Sequence, residues 1–323
     1  MMRQFYNYIH FKNKNMKTNN FFLLLFGLLL SATAIHAQNV ENKTIIISGT
    51  RFTYPLIEKW IAEYAKVNPT VSIQLASRSA GTESSDLSII AHQPATDELK
   101  ENQEILYTGR YGLLPVTNRN NPILIAAKRG LTKKDIDKLF FEVVNIDEDP
   151  VIEKPKFAAT IYARDNKACA STALASYFGH VSSEIRGKKV LGDDIYLISA
   201  IKRDTIGLTF NNLGYLYDTN SRKLKEGIAL LPLDLKKEAK SITTGDLDEV
   251  LTILEKNKVE TIPVEKIGFI YSQENARKVV SDFLKWVLTD GQKFNHSEGF
   301  LNLNKQELAE QSNRLTEKFL SLK

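Results

Sequence analysis

Three polar clusters in this chain carry residue types that could do chemistry, and each lies between an apolar run and an amphipathic pattern. They are Ser48-Gly49-Thr50-Arg51, the hydroxyl-rich loop from Ser77 to Ser84, and Arg164-Asp165-Asn166-Lys167. Hydroxyls and glycine just before a helix, together with the unpaired N–H groups of its first turn, are the donors that hold an anion. Arginine adds a planar fork matched to an oxyanion. The bland readings are a surface or cap arginine at Arg51 and simple helix caps at Ser79 and Thr82. Cys169, the one cysteine of the chain, stands in Ala-Cys-Ala-Ser on a small-residue helix and reads as a buried, inert thiol. His92, His180 and His296 have no paired spacing, so no metal site is expected. No Gly-x-Ser-x-Gly elbow or Walker sequence occurs, so hydrolase and nucleotide-binding motifs are absent. Tyr54, Trp60 and Trp286 fit helical core faces better than a stacking platform.

The positions that frame these clusters belong to a globular protein: 323 residues, 43% apolar and 25% charged, enough for two lobes with separate cores. The first 37 residues differ in kind. Arg3, Lys12, Lys14 and Lys17 precede the apolar run FFLLLFGLLLSATA, which ends in Ala-Ile-His-Ala. That pattern is a secretory signal peptide cleaved after Ala37, too short for a comfortable membrane span, with Met16 an alternative initiator. The leader holds four basic residues and no acidic one, so the formal charge of +5 falls to +1 in the mature chain. The basic balance is therefore no argument for nucleic acid. A single cysteine excludes an intramolecular disulfide, and the lack of one after the apolar run argues against a lipid anchor. A soluble exported protein is expected, periplasmic if the host has two membranes.

Short β-branched runs alternate with helical patterns, the signature of α/β architecture. Strands are expected at 44–48, 71–76, 86–91, 157–164 and 264–272, with an extended segment at 111–118. Helices are expected at 55–67, 131–141 with Thr132 as N-cap, 168–179 stopping at Gly179, 274–288, and from Lys305. Residues 195–210 read as helix, turn and strand around Asp204 to Gly207.

Several of these segments, in order, resemble the phosphate-binding proteins of ABC importers, within the type II periplasmic binding protein superfamily. They are Gly49-Thr50-Arg51-Phe52-Thr53-Tyr54-Pro55-Leu56 with Trp60; Ser79 to Thr82 followed by Asp86-Leu87-Ser88-Ile89; and Asn121-Pro122-Ile123 leading into Gly130-Leu131-Thr132, Asp135-Ile136 and Leu139-Phe140. Arg164-Asp165, Asp204 to Leu208, and Phe283-Leu284-Lys285-Trp286 with Gly291-Gln292 and Glu298-Gly299-Phe300 complete the set. The resemblance implies an α/β fold of two lobes, mixed sheets with helices on both faces, and two crossover strands near 108–116 and 263–271. Residues 38–112 and 268–323 would form one lobe, and 113–267 the inserted other. It further implies a monomer, not an enzyme and without cofactor or metal, that binds inorganic phosphate or a similar oxyanion in the interlobe cleft and delivers it to an ABC permease in the inner membrane. Carried over residue by residue, the ligand contacts would be Thr50, Arg51, Phe52, Ser79, Gly81, Thr82, Arg164 and Ser171. Three departures stand out. Arg51 occupies the place of a hydroxyl, and Ala168-Cys169-Ala170 replaces a Ser-Gly-Thr donor set. Ala91 and His92 stand where the family has an acidic residue. A more highly charged or larger anion is one reading of these changes; an exported interaction or sensor protein with an altered site is the alternative, and an exported hydrolase a third.

Overall fold

In the computed structural model the described residues are 43–76, 85–95, 98–142, 157–272 and 277–320. The leader and the Ser77 to Ser84 loop lie outside them. The compact unit that begins at Thr44 opens with β1, Thr44–Gly49, whose Ile45 and Ile47 are wholly buried. A 3-10 turn over Arg51–Thr53 runs directly into α1, Tyr54–Val67, with Pro55 in its first turn, where its missing N–H costs nothing. Leu56, Ile57, Trp60 and Tyr64 recur at helical spacing, and that face is buried. β2, Ser72–Leu75, and β3, Leu87–Ile90, flank β1 in parallel, which fixes the expected βαβ unit.

β4 is longer than the sequence pattern suggests, Gln103–Asn118 rather than 111–118. Its first half, which carries Gln103 and Glu104, has no clean alternation. It is held as strand by antiparallel pairing with β9, Val264–Ser272, from Gln103↔Ser272 to Gly112↔Val264. Its second half pairs with β7, Gly207–Asn212, and with β8, Ile228–Leu230. Short helices α2 (Ile123–Ala126) and α3 (Lys133–Phe140) follow it, α3 with the expected Thr132 cap completed by Asp135. β5 (Thr160–Arg164) lies between β7 and the three-residue β6 (Lys188–Val190), parallel to both. Among the described residues nine strands form one connected sheet in the order β2-β1-β3-β9-β4-β7-β5-β6, with β8 on β4.

The helices cover this sheet: α4 (Cys169–Phe178), α5 (Ile195–Arg203), α6 (Leu213–Leu216), α7 (Leu247–Lys256), α8 (Lys278–Leu288) and α9 (Lys305–Leu320). α7 escaped the sequence reading although Asp246 caps it, accepting from Glu249 N–H, and Leu247, Val250, Leu251 and Leu254 mark its buried face. Trp60 ties α1 to the far end of the chain. Its Nε1–H donates to the Gly291 carbonyl at 3.0 Å, and Tyr64 meets Phe283 edge-on with ring centroids 5.2 Å apart. Among the described residues no helix is long and apolar enough to cross a membrane.

Gly49 closes β1 at φ +116°, and a Cβ there would collide with the backbone of Ile89 on β3. Only glycine turns the chain at this point without strain. Gly49→Ala is expected to lower stability by about 1–3 kcal/mol, read as a reduced denaturation midpoint at unchanged m-value; an unchanged midpoint would contradict the strain.

Candidate anion site at two helix starts

Two helix N-termini meet at one contact. Thr50 precedes the turn that opens α1, Cys169 is the first residue of α4, and Thr50 Oγ1 lies 3.0 Å from Cys169 Sγ. The cap of α4 is Ala168, which offers no side-chain oxygen, so the first-turn N–H groups of Cys169, Ala170 and Ser171 have no capping acceptor. Thr50 likewise makes no cap bond to its own turn; its N–H and its hydroxyl both reach the Ile89 carbonyl at 3.2 Å. Two positive helix ends thus converge on a small region at the carboxyl ends of β1, β3 and β5.

Around this contact the site continues on both sides. Arg51 is half-buried and lines a cavity of about 280 Å³ with Tyr54, Pro55, Glu58, Ala76, Asp193 and Tyr215. Tyr215 donates its hydroxyl to Asp193 at 2.9 Å across that wall. Burial raises the Tyr54 hydroxyl pKa, against the opposing pull of the Arg51 charge nearby.

Arg164 sits at the end of β5, where a strand end meets a helix start, and is buried. Its Nη1 donates to the Val190 carbonyl and its Nη2 to the Gly192 carbonyl, each at 2.6 Å. Asp194 Oδ1 lies 3.5 Å from its Nε and Asp165 Oδ2 3.6 Å from its Nη2. Nε itself closes no hydrogen bond. Burial pushes the Asp194 carboxyl up to about 6, and the Arg164 charge only partly opposes it.

The expected ligand residues therefore fall into three groups. Thr50 and Arg51 stand at the opening of α1. The Phe52 side chain does not face the site; it is buried against Tyr111 and Phe300, with ring centroids 4.7 and 6.5 Å away, so only its backbone could serve a ligand. The Ser171 hydroxyl is buried and donates to the Arg164 carbonyl at 3.2 Å, which leaves its N–H as the group nearest the helix end. Ser79, Gly81 and Thr82 lie outside the described residues.

The reading of Cys169 as a buried thiol needs correction. The thiol is half-buried at a helix start and sits against Thr50, with Ala91 and His92 beyond. His92 follows β3, and its Nε2 is 3.0 Å from Glu98. Sequence reasoning missed the contact of Cys169 with Thr50 because the two residues are far apart in the chain and neither carries a recognisable spacing. The other two histidines each meet carboxylates, His180 with Asp137 and Glu184, His296 with Glu255. Among the described residues no group of three His, Cys, Asp or Glu is arranged for a metal ion.

This arrangement is the mixed α/β fold of the type II periplasmic binding proteins. No protein-family model matches the sequence. The resemblance to phosphate-binding proteins is nonetheless carried by sequence and by structure. The phosphate-binding protein PstS of Methanocaldococcus jannaschii is 23% identical over 330 aligned positions, spanning 83% of this chain and 85% of that one. A phosphate ABC transporter substrate-binding protein from Clostridium perfringens, solved with bound phosphate, superposes with a TM-score of 0.59 at 14% identity, covering 81% of this chain and all of that one. An ABC-type phosphate transport receptor from Vibrio cholerae gives 0.55 at 12% identity over 80% of this chain.

The Asp194 carboxyl gives a sign that can be checked. Its folded pKa lies above the ordinary carboxylate value, so the stability it contributes is fully present below about pH 4 and is lost as pH rises through about 6. The stability of the native chain relative to Asp194→Asn is expected to fall between pH 4 and pH 6 in urea titrations. A difference that stays flat, or rises, over that window would contradict the buried carboxyl.

Proposed function

We propose that the chain is an exported solute-binding protein that captures phosphate or a related oxyanion between two lobes and presents it to an ABC permease. The observation that carries this reading is the meeting of the α1 and α4 starts at Thr50 and Cys169. Two uncapped helix ends with Arg51 and Arg164 beside them form an electropositive region suited to a tetrahedral anion. The named relatives, all phosphate-binding or phosphate-transport proteins, support the same ligand class. The lobes of this proposal are 38–112 with 268–323, and 113–267, joined through β4 and β9, and closure about those strands would remove water from the anion. The leader ending at Ala37 would direct export to the periplasm, where the mature chain acts as a monomer and without catalysis.

In this reading Arg51 and the first-turn N–H groups of α4 receive the anion first. Arg164 then exchanges its Val190 and Gly192 carbonyls for anion oxygens, or adds its unpaired Nε to them. One observation favours the alternative of an interaction or sensor protein with an altered site: the Cys169 sulfur stands among the donors where an anion oxygen would sit.

Thermal-shift and calorimetric titration of the mature chain with phosphate, sulfate, a phosphonate and a phosphate ester separates these readings. Stabilisation by phosphate is expected, weakened by Arg51→Ala and by Arg164→Lys, each by about tenfold to a hundredfold in Kd, the loss of one charge-assisted hydrogen bond or its fork geometry. A folded chain that none of the four anions stabilises would overturn the importer reading in favour of the altered site.

A further inference from the structure

The cavity of about 280 Å³ beside Arg51 holds charges of both signs. Arg51, in the turn that opens α1, supplies one cation; Glu58 on α1 and Asp193, just before the start of α5, supply two carboxylates. Among the described residues the Arg51 side chain makes no hydrogen bond and no ion pair, and the Glu58 side chain makes none either. Both hydrogen bonds to the Asp193 carboxylate end on Oδ1, from the Tyr215 hydroxyl at 2.9 Å and from the Ile195 N–H at 3.4 Å, so Oδ2 accepts none. The cation and the carboxylates line one cavity without pairing across it. Tyr54 and Tyr215 complete its walls, and an aromatic ring beside a carboxylate is a setting that suits an ammonium group.

Size and sign point the same way. The cavity has room for several heavy atoms beyond the five of a tetrahedral oxyanion. A dianion alone at Arg51 would stand near two like charges with nothing to offset them. A ligand that carries its own cation a few bonds from its anion turns that repulsion into attraction.

We propose that this cavity takes an amine-bearing phosphoryl compound, a short aminoalkyl phosphate ester or phosphonate, with its anion at Arg51 and the helix starts and its ammonium group at Asp193 and Glu58. The assignment rests on the anion site proposed above and adds the class of group attached to the anion. The carboxylates select as well as hold: they attract the ammonium end and repel a ligand that presents only negative charge. Tyr215 is a positioning residue here, since its hydroxyl occupies Oδ1 and leaves Oδ2 for the ligand. Its hydroxyl also feels the Arg164 charge, which places this wall of the cavity near the second arginine.

The test is calorimetric titration of the mature chain at pH 7 with inorganic phosphate, propyl phosphate and phosphoethanolamine. The last two have nearly the same shape and differ in a terminal methyl or ammonium group. Phosphoethanolamine is expected to bind about tenfold to a hundredfold more tightly than propyl phosphate, the range of one charge-assisted hydrogen bond. Asp193→Asn, whose amide oxygen can still accept from Tyr215, is expected to narrow that ratio about tenfold, and Glu58→Gln to narrow it less. Because the ratio is read within one variant, a general loss of fold or of anion affinity does not imitate the effect. Equal affinity for propyl phosphate and phosphoethanolamine, or a ratio indifferent to both substitutions, would overturn the amine assignment while phosphate binding kept the anion site standing. A folded chain that binds none of the three would overturn the anion site, and the amine assignment with it.

Discussion

The constraint on which the site depends is electrostatic: the starts of α1 and α4 are brought within a single contact, Thr50 to Cys169, without a side chain that caps α4. Unpaired N–H groups and two helix dipoles of the same sign repel one another unless something negative lies between them. The fold sets this condition upstream. β1 must end at Gly49 to turn over Ile89, and α4 must begin at Cys169, against Thr50. β4, paired with β9 along its first half and with β7 and β8 along its second, ties the two ends of the sheet into one frame. An anion from solution would meet that requirement.

Much of this was legible in the chain because the strand-to-helix turns have local signatures. Ile45 to Gly49 followed by Thr50-Arg51 and Pro55 marks a buried strand, a polar turn and a helix start within a dozen residues. Arg164-Asp165 after an apolar run does the same, and the Trp60 face of α1 follows from helical periodicity. The elements that escaped are those without a local pattern. β6 and β8 have three residues each, and the first half of β4 is strand only because β9 lies beside it. α7 is the exception, since its Asp246 cap and Leu spacing were present to be read.

The site was less legible than the fold, and for a different reason. Arg164 was readable as a cleft arginine, but its acceptors, the Val190 and Gly192 carbonyls, are placed by β6 and the turn after it. Nothing near Arg164 in sequence announces that its terminal nitrogens are occupied. Phe52 was drawn toward the ligand by its position beside Arg51, whereas its ring belongs to the cluster with Tyr111 and Phe300. Thr50 and Cys169 meet only when the end of β1 and the start of α4 are packed together. Chemistry made by tertiary neighbours is invisible to spacing.

The most direct measurement is calorimetric titration of phosphate into the mature, reduced chain at pH 7. A saturable, one-to-one heat of binding is expected. A folded chain that releases no heat across the titration would contradict the claim that the two helix starts converge on an anion.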